Sequence, residues 1–372
     1  MREATRTGGG NAGVVQELDE LTEVAPRRAG SEGERRAARH LQQRLEALGR
    51  EAELEPTRVR PNFGLAHAVH AGTGVVASVL AVYVPALGLV LAAASTISAF
   101  GDLTGSFQLL RMLTPVRASQ NVISREDRDK PGLILLVAHY DAPLTGMLLN
   151  RRLRMWPRAL LISLTVITVC AGGRLLGIEA TWFTVIQFIP TVVLIVMTAL
   201  CVDVAISETA KGAADNASGV ATALRLADSH ANKLQHFNLV VVLTGASAHE
   251  GLGLRAWLKR HRKELDSEAT AVISIDNVAC GTAAYAVKEG PVITARMHPT
   301  LVELTPDSGT SYTSSELSDA VLAHAAGVPA LRVSSTETGG DAVEPETVAR
   351  VHEFVAELIE RIDHEIGPEL AS

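Results

Sequence analysis

From Val185 to Val202 the chain carries no charged residue, and the apolar stretch around this run extends from Ala159 to about Ala205, interrupted chiefly at Gly172-Gly173-Arg174 and Glu179. A helix needs roughly 17 to 25 apolar residues to cross a bilayer. The stretch therefore divides into two spanning helices, Ala159 to Ile178 and Thr181 to Ala205. A second apolar stretch runs from about Leu65 to Phe100 and turns at Val84-Pro85-Ala86-Leu87-Gly88. It is short for two crossings, so a shallow re-entrant pair is the alternative to a full hairpin there.

Around these runs the pattern is that of alternating strands and helices. Ser31 and Glu34 form a capping box before the stripe Ala38, Leu41, Leu45 and Leu48, and Gly49 supplies a C-terminal stop. Strands are expected at 51–59, 119–124, 133–138, 239–243, 271–275 and 330–333. Helices are expected at 31–49, 216–230, 252–262, 319–326 and 345–366. This spacing predicts an α/β fold with a mostly parallel sheet sandwiched by helices, interrupted by transmembrane helical hairpins. The α/β parts are 1–60, 103–155 and 206–372, and the membrane inserts are 65–102 and 159–205. Because sheet segments lie before, between and after the inserts, each insert must cross the membrane an even number of times.

Basic residues gather where the inserts meet the α/β parts: Arg58, Arg60, Arg111, Arg117, Arg151, Arg152, Arg154, Arg158 and Lys211. Only Arg174 lies at a hairpin tip. The positive-inside rule then places the α/β domain in the cytoplasm of a multi-pass protein of the cell membrane. The N-terminus is polar and Gly-rich without an apolar segment, so no cleavable signal peptide is expected. Two of the three cysteines sit inside apolar runs, which suggests neither disulfides nor a cysteine-based zinc site. A net charge of -7 supplies no basic surface for nucleic acid. The expected partners are the lipid bilayer and a peptide substrate or protein partner. No ionisable residue is read as lying deep in the apolar runs, which argues against a transport path.

His139-Tyr140-Asp141 follows a strand whose apolar run suits a doubly covered sheet, and open α/β sheets bind ligands at such strand ends. An imidazole can ligate metal through one nitrogen while Asp141 orients it. Asp215 opens a helix in Asp215-Asn216-Ala217-Ser218-Gly219, and Asp276 ends the strand at 271–275. Three N/O donors from three element ends suit one zinc with an open fourth position.

These residues, in this order, resemble those of the co-catalytic zinc aminopeptidases, the family of bacterial leucine aminopeptidases, glutamate carboxypeptidase and the transferrin receptor ectodomain. A bacterial membrane branch with helical inserts is the nearest likeness. The resemblance also rests on Pro26 to Glu32, Gly212 to Gly219, Thr244-Gly245-Ala246, Ser318-Asp319-Ala320, Ala326 to Pro329 and Val343 to Glu346. It implies hydrolysis of N-terminal residues from peptides, with His139, Asp215 and Asp276 as metal ligands. It also implies a Glu-Glu pair after Thr-Gly-Ala, one carboxylate serving as general base and the other ligating a second zinc.

Here Ser247 and Ala248 stand in those two positions. A one-residue shift would offer Ala248 and His249, making His249 a second-site ligand, and Glu250 is the remaining acid for the base. The histidine that the second zinc needs is also missing: Ala320 follows Ser318-Asp319, and the expected loop Ser334 to Asp341 contains none. The sequence thus predicts at most one zinc and a pseudoenzyme with impaired catalysis. The alternative is an active single-zinc membrane peptidase using Glu250 or another base.

Overall fold

The computed structural model describes residues 4–23, 26–126, 129–337 and 341–367. After an N-terminal helix, α1 (Ala4–Glu23), the capping-box helix α2 (Glu32–Ala47) leads to strand β1 (Ala52–Val59). The first hairpin is α3 (Phe63–Tyr83) and α4 (Pro85–Thr104). Strands β2 (Arg117–Ser124) and β3 (Gly132–His139) precede the second hairpin, α5 (Trp156–Leu175) and α6 (Thr181–Ile206). Then come α7 (Ser218–Ser229), β4 (Phe237–Thr244), α8 (Leu252–His261), β5 (Thr270–Ile275), β6 (Cys280–Glu289), β7 (Ala295–Arg296), α9 (Pro299–Glu303), β8 (Thr310–Ser314), α10 (Asp319–Ala325), β9 (Ala330–Glu337) and α11 (Pro345–Glu365).

One mixed sheet runs β1-β2-β4-β3-β5-β9-β6-β7, with β8 paired to β6. Its centre is parallel, β4 and β5 flanking β3 and β9 following β5. The margins are antiparallel at β1/β2, β2/β4, β6/β9 and β6/β7. The central strands are buried along almost their whole length, as a sheet covered on both faces requires. Because β3, β4, β5 and β9 point the same way, His139, Thr244 and Ile275 finish at one edge of the sheet. Strands β6 to β8 escaped the sequence reading: Cys280-Gly281-Thr282-Ala283-Ala284 is built of small residues without a clear two-residue alternation. Strand β9 runs on to Glu337, so Ser334 to Glu337 are strand rather than loop, and Thr338, Gly339 and Gly340 lie outside the described residues.

Both hairpins pack as one four-helix group, α3 lying against α4, α5 and α6. Its core (Ala71, Ala77, Leu160, Leu164, Ile167, Leu194) is separate from the sheet core. The first hairpin is longer than the sequence suggested, with helices of 21 and 20 residues. At about 1.5 Å per residue each is about 30 Å long, close to a bilayer's apolar thickness. The tight tip is possible because Gly88 has no side chain: a Cβ there would meet the Ala81 backbone nitrogen at 2.5 Å. All four helices are long and apolar enough to cross a membrane. Val76, Val90, Ile162, Val169, Phe188 and Ile195 point outward and are exposed.

Candidate metal centre

The peptide groups around the strand ends are fixed first. Arg27, fully buried, donates from Nε to the Tyr140 carbonyl (2.8 Å), from Nη1 to Leu21 (2.6 Å) and from Nη2 to Gly212 (2.9 Å). It thereby joins the turn after β3 to the turn before α7. Asn216, also fully buried, donates Nδ2–H to the Ile275 carbonyl (2.9 Å) and accepts from the Asn277 N–H (3.1 Å). These two side chains hold Asp215 against the ends of β3 and β5. Glu34 reaches from α2 to accept from Gly30 N (2.7 Å), Ala246 N (2.8 Å) and Ser119 Oγ (2.9 Å). The capping box closes on Gly30 rather than on the cap residue, and its acid also clamps the loop after β4. Burial and the nearby Asp141 push the Glu34 carboxyl up to about 8.

His139, Asp215 and Asp276 come together, their ligand atoms all within 4.8 Å of one another. His139 Nε2 lies 3.0 Å from Asp215 Oδ1 and 3.2 Å from Asp276 Oδ1. Asp215 Oδ1, though buried, makes no hydrogen bond of proper geometry in spite of that 3.0 Å approach. Such convergence on an orphaned oxygen fits a metal ion, which would take up the three donors. Burial works against a positive imidazole, but Asp215 and Asp276 outweigh it and hold the ring well above its usual range. A place that so favours a proton favours a metal cation instead. For Asp276, burial raises the carboxyl, yet Arg332 and His139 draw it down to about 2.

Asp141 has a different part from the one expected. His139 Nδ1 is 3.1 Å from the Asp141 carbonyl oxygen, whereas the carboxylate oxygen is 3.7 Å away. The backbone therefore orients the ring. The carboxylate instead accepts from Ser247 N (2.8 Å) and Ala248 N (3.1 Å), which ties down the loop where the family's acidic pair would stand.

His249 is not brought into the cluster. Its Nε2 accepts the Leu144 N–H (2.9 Å) and its ring lies 5.0 Å from that of Phe63. Desolvation, helped by His139, pushes it down to about 4, so it is a neutral acceptor. Glu250 is gripped by Arg111 through both carboxylate oxygens. Ala320 faces the apolar core.

Two groups were given no role in the sequence analysis. Arg332 on β9 is buried and bonds Asp276 Oδ2 (2.8 Å), Glu289 (2.6 Å) and Glu316 (2.9 Å). Nothing in the local pattern of β9 marks it, because its partners come from three other segments. Asp319 is buried, accepts from Thr244 Oγ1 (3.0 Å), and is pushed up to about 7, chiefly by burial. Asp215, Ala248, His249, Glu250 and Asp276 line a cavity of about 670 Å³, whose other wall includes Phe63, His67, Asp102 and Trp156 from the hairpins.

Residues 197–347 match the family model for peptidase family M28. That segment contains Asp215, Ser247, Ala248 and Asp276 but stops short of His139 on its N-terminal side. No curated protein matches the sequence. Among solved structures, an aminopeptidase from Aneurinibacillus sp. strain AM-1 superposes with TM-score 0.53 at 14% identity, covering 94% of this chain and 93% of that one. A zinc aminopeptidase from Bacillus subtilis gives 0.54 at 12% identity, covering 95% of each. A glutaminyl cyclase from Tannerella forsythia gives 0.53 at 13% identity, covering 95% and 98%. The chain is therefore zinc exopeptidase-like in fold and carries the peptidase family M28 signature over residues 197–347.

Proposed function

We propose that this protein is a multi-pass membrane protein of the zinc-exopeptidase type whose peptide hydrolysis is impaired. One zinc would be held by His139, Asp215 and Asp276, where it would supply a Lewis acid for a carbonyl group. What carries the reading is the contrast at one edge of the sheet. The three donors converge, but the two positions for the acidic pair are a serine and an alanine whose N–H groups are bound to Asp141. Glu250 is a poor replacement, since a base already paired with Arg111 must break that pair to accept a proton. Both aminopeptidases and glutaminyl cyclases have this fold, so the reading rests on the residues. Detergent-solubilised protein should release N-terminal residues from short peptides no faster than its His139→Ala variant. Robust turnover lost in that variant would restore the active single-zinc reading.

The same substitution tests the ligands. His139→Ala should abolish zinc at the strand-end site, because removing one of three protein donors leaves too few for tetrahedral zinc. Metal analysis showing unchanged zinc would exclude His139 as a ligand.

Multi-pass insertion with the α/β domain in the cytoplasm is supported by the four apolar helices and the arginine distribution. In intact cells an impermeant maleimide should label Leu176→Cys at the tip of the second hairpin and spare Arg262→Cys, both in a Cys280→Ser background. Labelling of Arg262→Cys from outside would reverse the orientation.

A further inference from the structure

A second group of potential ligands lies in the first hairpin, outside the peptidase-like centre. His67 and His70 stand one turn apart on α3, and Asp102 enters from the last turn of the antiparallel α4. Each offers a ligand atom, and these atoms all lie within 4.8 Å of one another. Their exposures are 1%, 0% and 4%. The two histidines sit near the open end of the hairpin rather than deep in its apolar run.

His67 Nδ1, His70 Nδ1 and Asp102 Oδ2 are all buried and have no hydrogen-bond partner. The Ala66 carbonyl, one turn back, interacts with the His70 ring but makes no properly directed bond to Nδ1. Each such orphan costs about 1 to 3 kcal/mol. All three belong to the residues whose ligand atoms converge, which points to a missing common partner.

The remaining atoms are arranged as those behind a metal site usually are. Ser98 Oγ lies 2.9 Å from His70 Nε2, which fixes the ring. Ser95 Oγ bonds the His70 carbonyl at 2.8 Å, locking α4 to α3 at this level. Arg111 Nε holds Asp102 Oδ1 at 2.7 Å, orienting Oδ2, and the same guanidinium grips Glu250. With neutral imidazoles, Asp102 and Glu250 are balanced by Arg111 and by Arg255, which bonds the Glu250 and Gly105 carbonyls, so the four carry no net charge. Asp102 is thus the one anionic ligand that a divalent cation would meet here.

We propose that His67, His70 and Asp102 bind a zinc ion that locks the base of the first hairpin. Two imidazoles and one carboxylate suit zinc better than the hard cations that prefer all-oxygen sites. Tetrahedral zinc with bonds of about 2.0 to 2.2 Å sets its ligands about 3.4 Å apart, so atoms that already lie within 4.8 Å of one another would draw together around it. His67 and Asp102 also line the cavity, so the fourth position opens toward it. Through Arg111 and Glu250 the ion would couple the hairpin to the loop after β4. This site does not depend on the peptidase-like reading.

Metal analysis of the detergent-solubilised full chain should give about two zinc ions, falling to about one in His139→Ala, to about one in His67→Ala/His70→Ala, and to none when all three are replaced. Loss of all zinc in His139→Ala, or unchanged zinc in the hairpin double variant, overturns the proposal. Zinc lost only in the hairpin variant would instead sink the strand-end site. Should the hairpin variant fail to fold, X-ray absorption of zinc in His139→Ala decides the matter. Scattering from two imidazoles is expected, and its absence rejects the site.

Discussion

Ser247→Glu combined with Ala248→Glu is expected to raise the release of N-terminal residues from peptides by about 10² over the unmodified chain, the lower end of what a general base contributes. The two positions suit the test. Ser247 is buried and Ala248 is half-buried on the cavity wall, and their N–H groups are held by Asp141, so the backbone there is fixed. A new carboxylate beside the Asp141 charge would have its proton affinity raised, which favours a base over a permanent anion. Recovery should fall short of a complete centre, because Ala320 lies in the apolar core and no histidine takes its place. The assay compares the double variant with the same variant carrying His139→Ala. Equal rates in those two would show that the missing acids are not what limits the chain.

Replacing Arg27 by Ala is expected to destabilise the α/β domain by about 3 to 4 kcal/mol, since bonds from a charged donor contribute about 1.5 to 3 kcal/mol each and their loss strands buried carbonyls. Leu21, Tyr140 and Gly212 would all lose their donor. Part of the gain is offset by the cost of burying the guanidinium, which already draws it down to about 10. Thermal unfolding in detergent should start lower by roughly 5 to 10 °C. Strand-end zinc should weaken as well, because Tyr140 adjoins His139 and Gly212 precedes Asp215 by one turn of chain. Lysine at this position should not rescue, since its single ammonium cannot reproduce the planar set of donors. A melting point within about 1 °C of the parent would show that the link between the two turns is dispensable.

The sequence by itself determined the periodic and contiguous features. The central strands are continuous apolar runs, the helices carry stripes and caps, and the hairpin helices are long apolar segments; each is a local pattern set by burial. His139, Asp215 and Asp276 were legible for a related reason: His139 and Asp276 stand at the ends of such strands and Asp215 before a helix, and a parallel sheet brings strand ends and the following turns to one edge.

Only the tertiary structure decided what depends on contacts between distant segments. That Asp141 holds the loop after β4, that Arg111 occupies Glu250, and that Arg332 supports Asp276 from β9 all follow from side chains meeting across more than a hundred residues or across the sheet. The same holds for His67, His70 and Asp102. Within one helix the two histidines read as an ordinary polar pair, and the acid lies on the other arm of the hairpin. Their orphaned atoms become visible only when α3 and α4 are packed together, because burial and the lack of partners belong to the assembled fold.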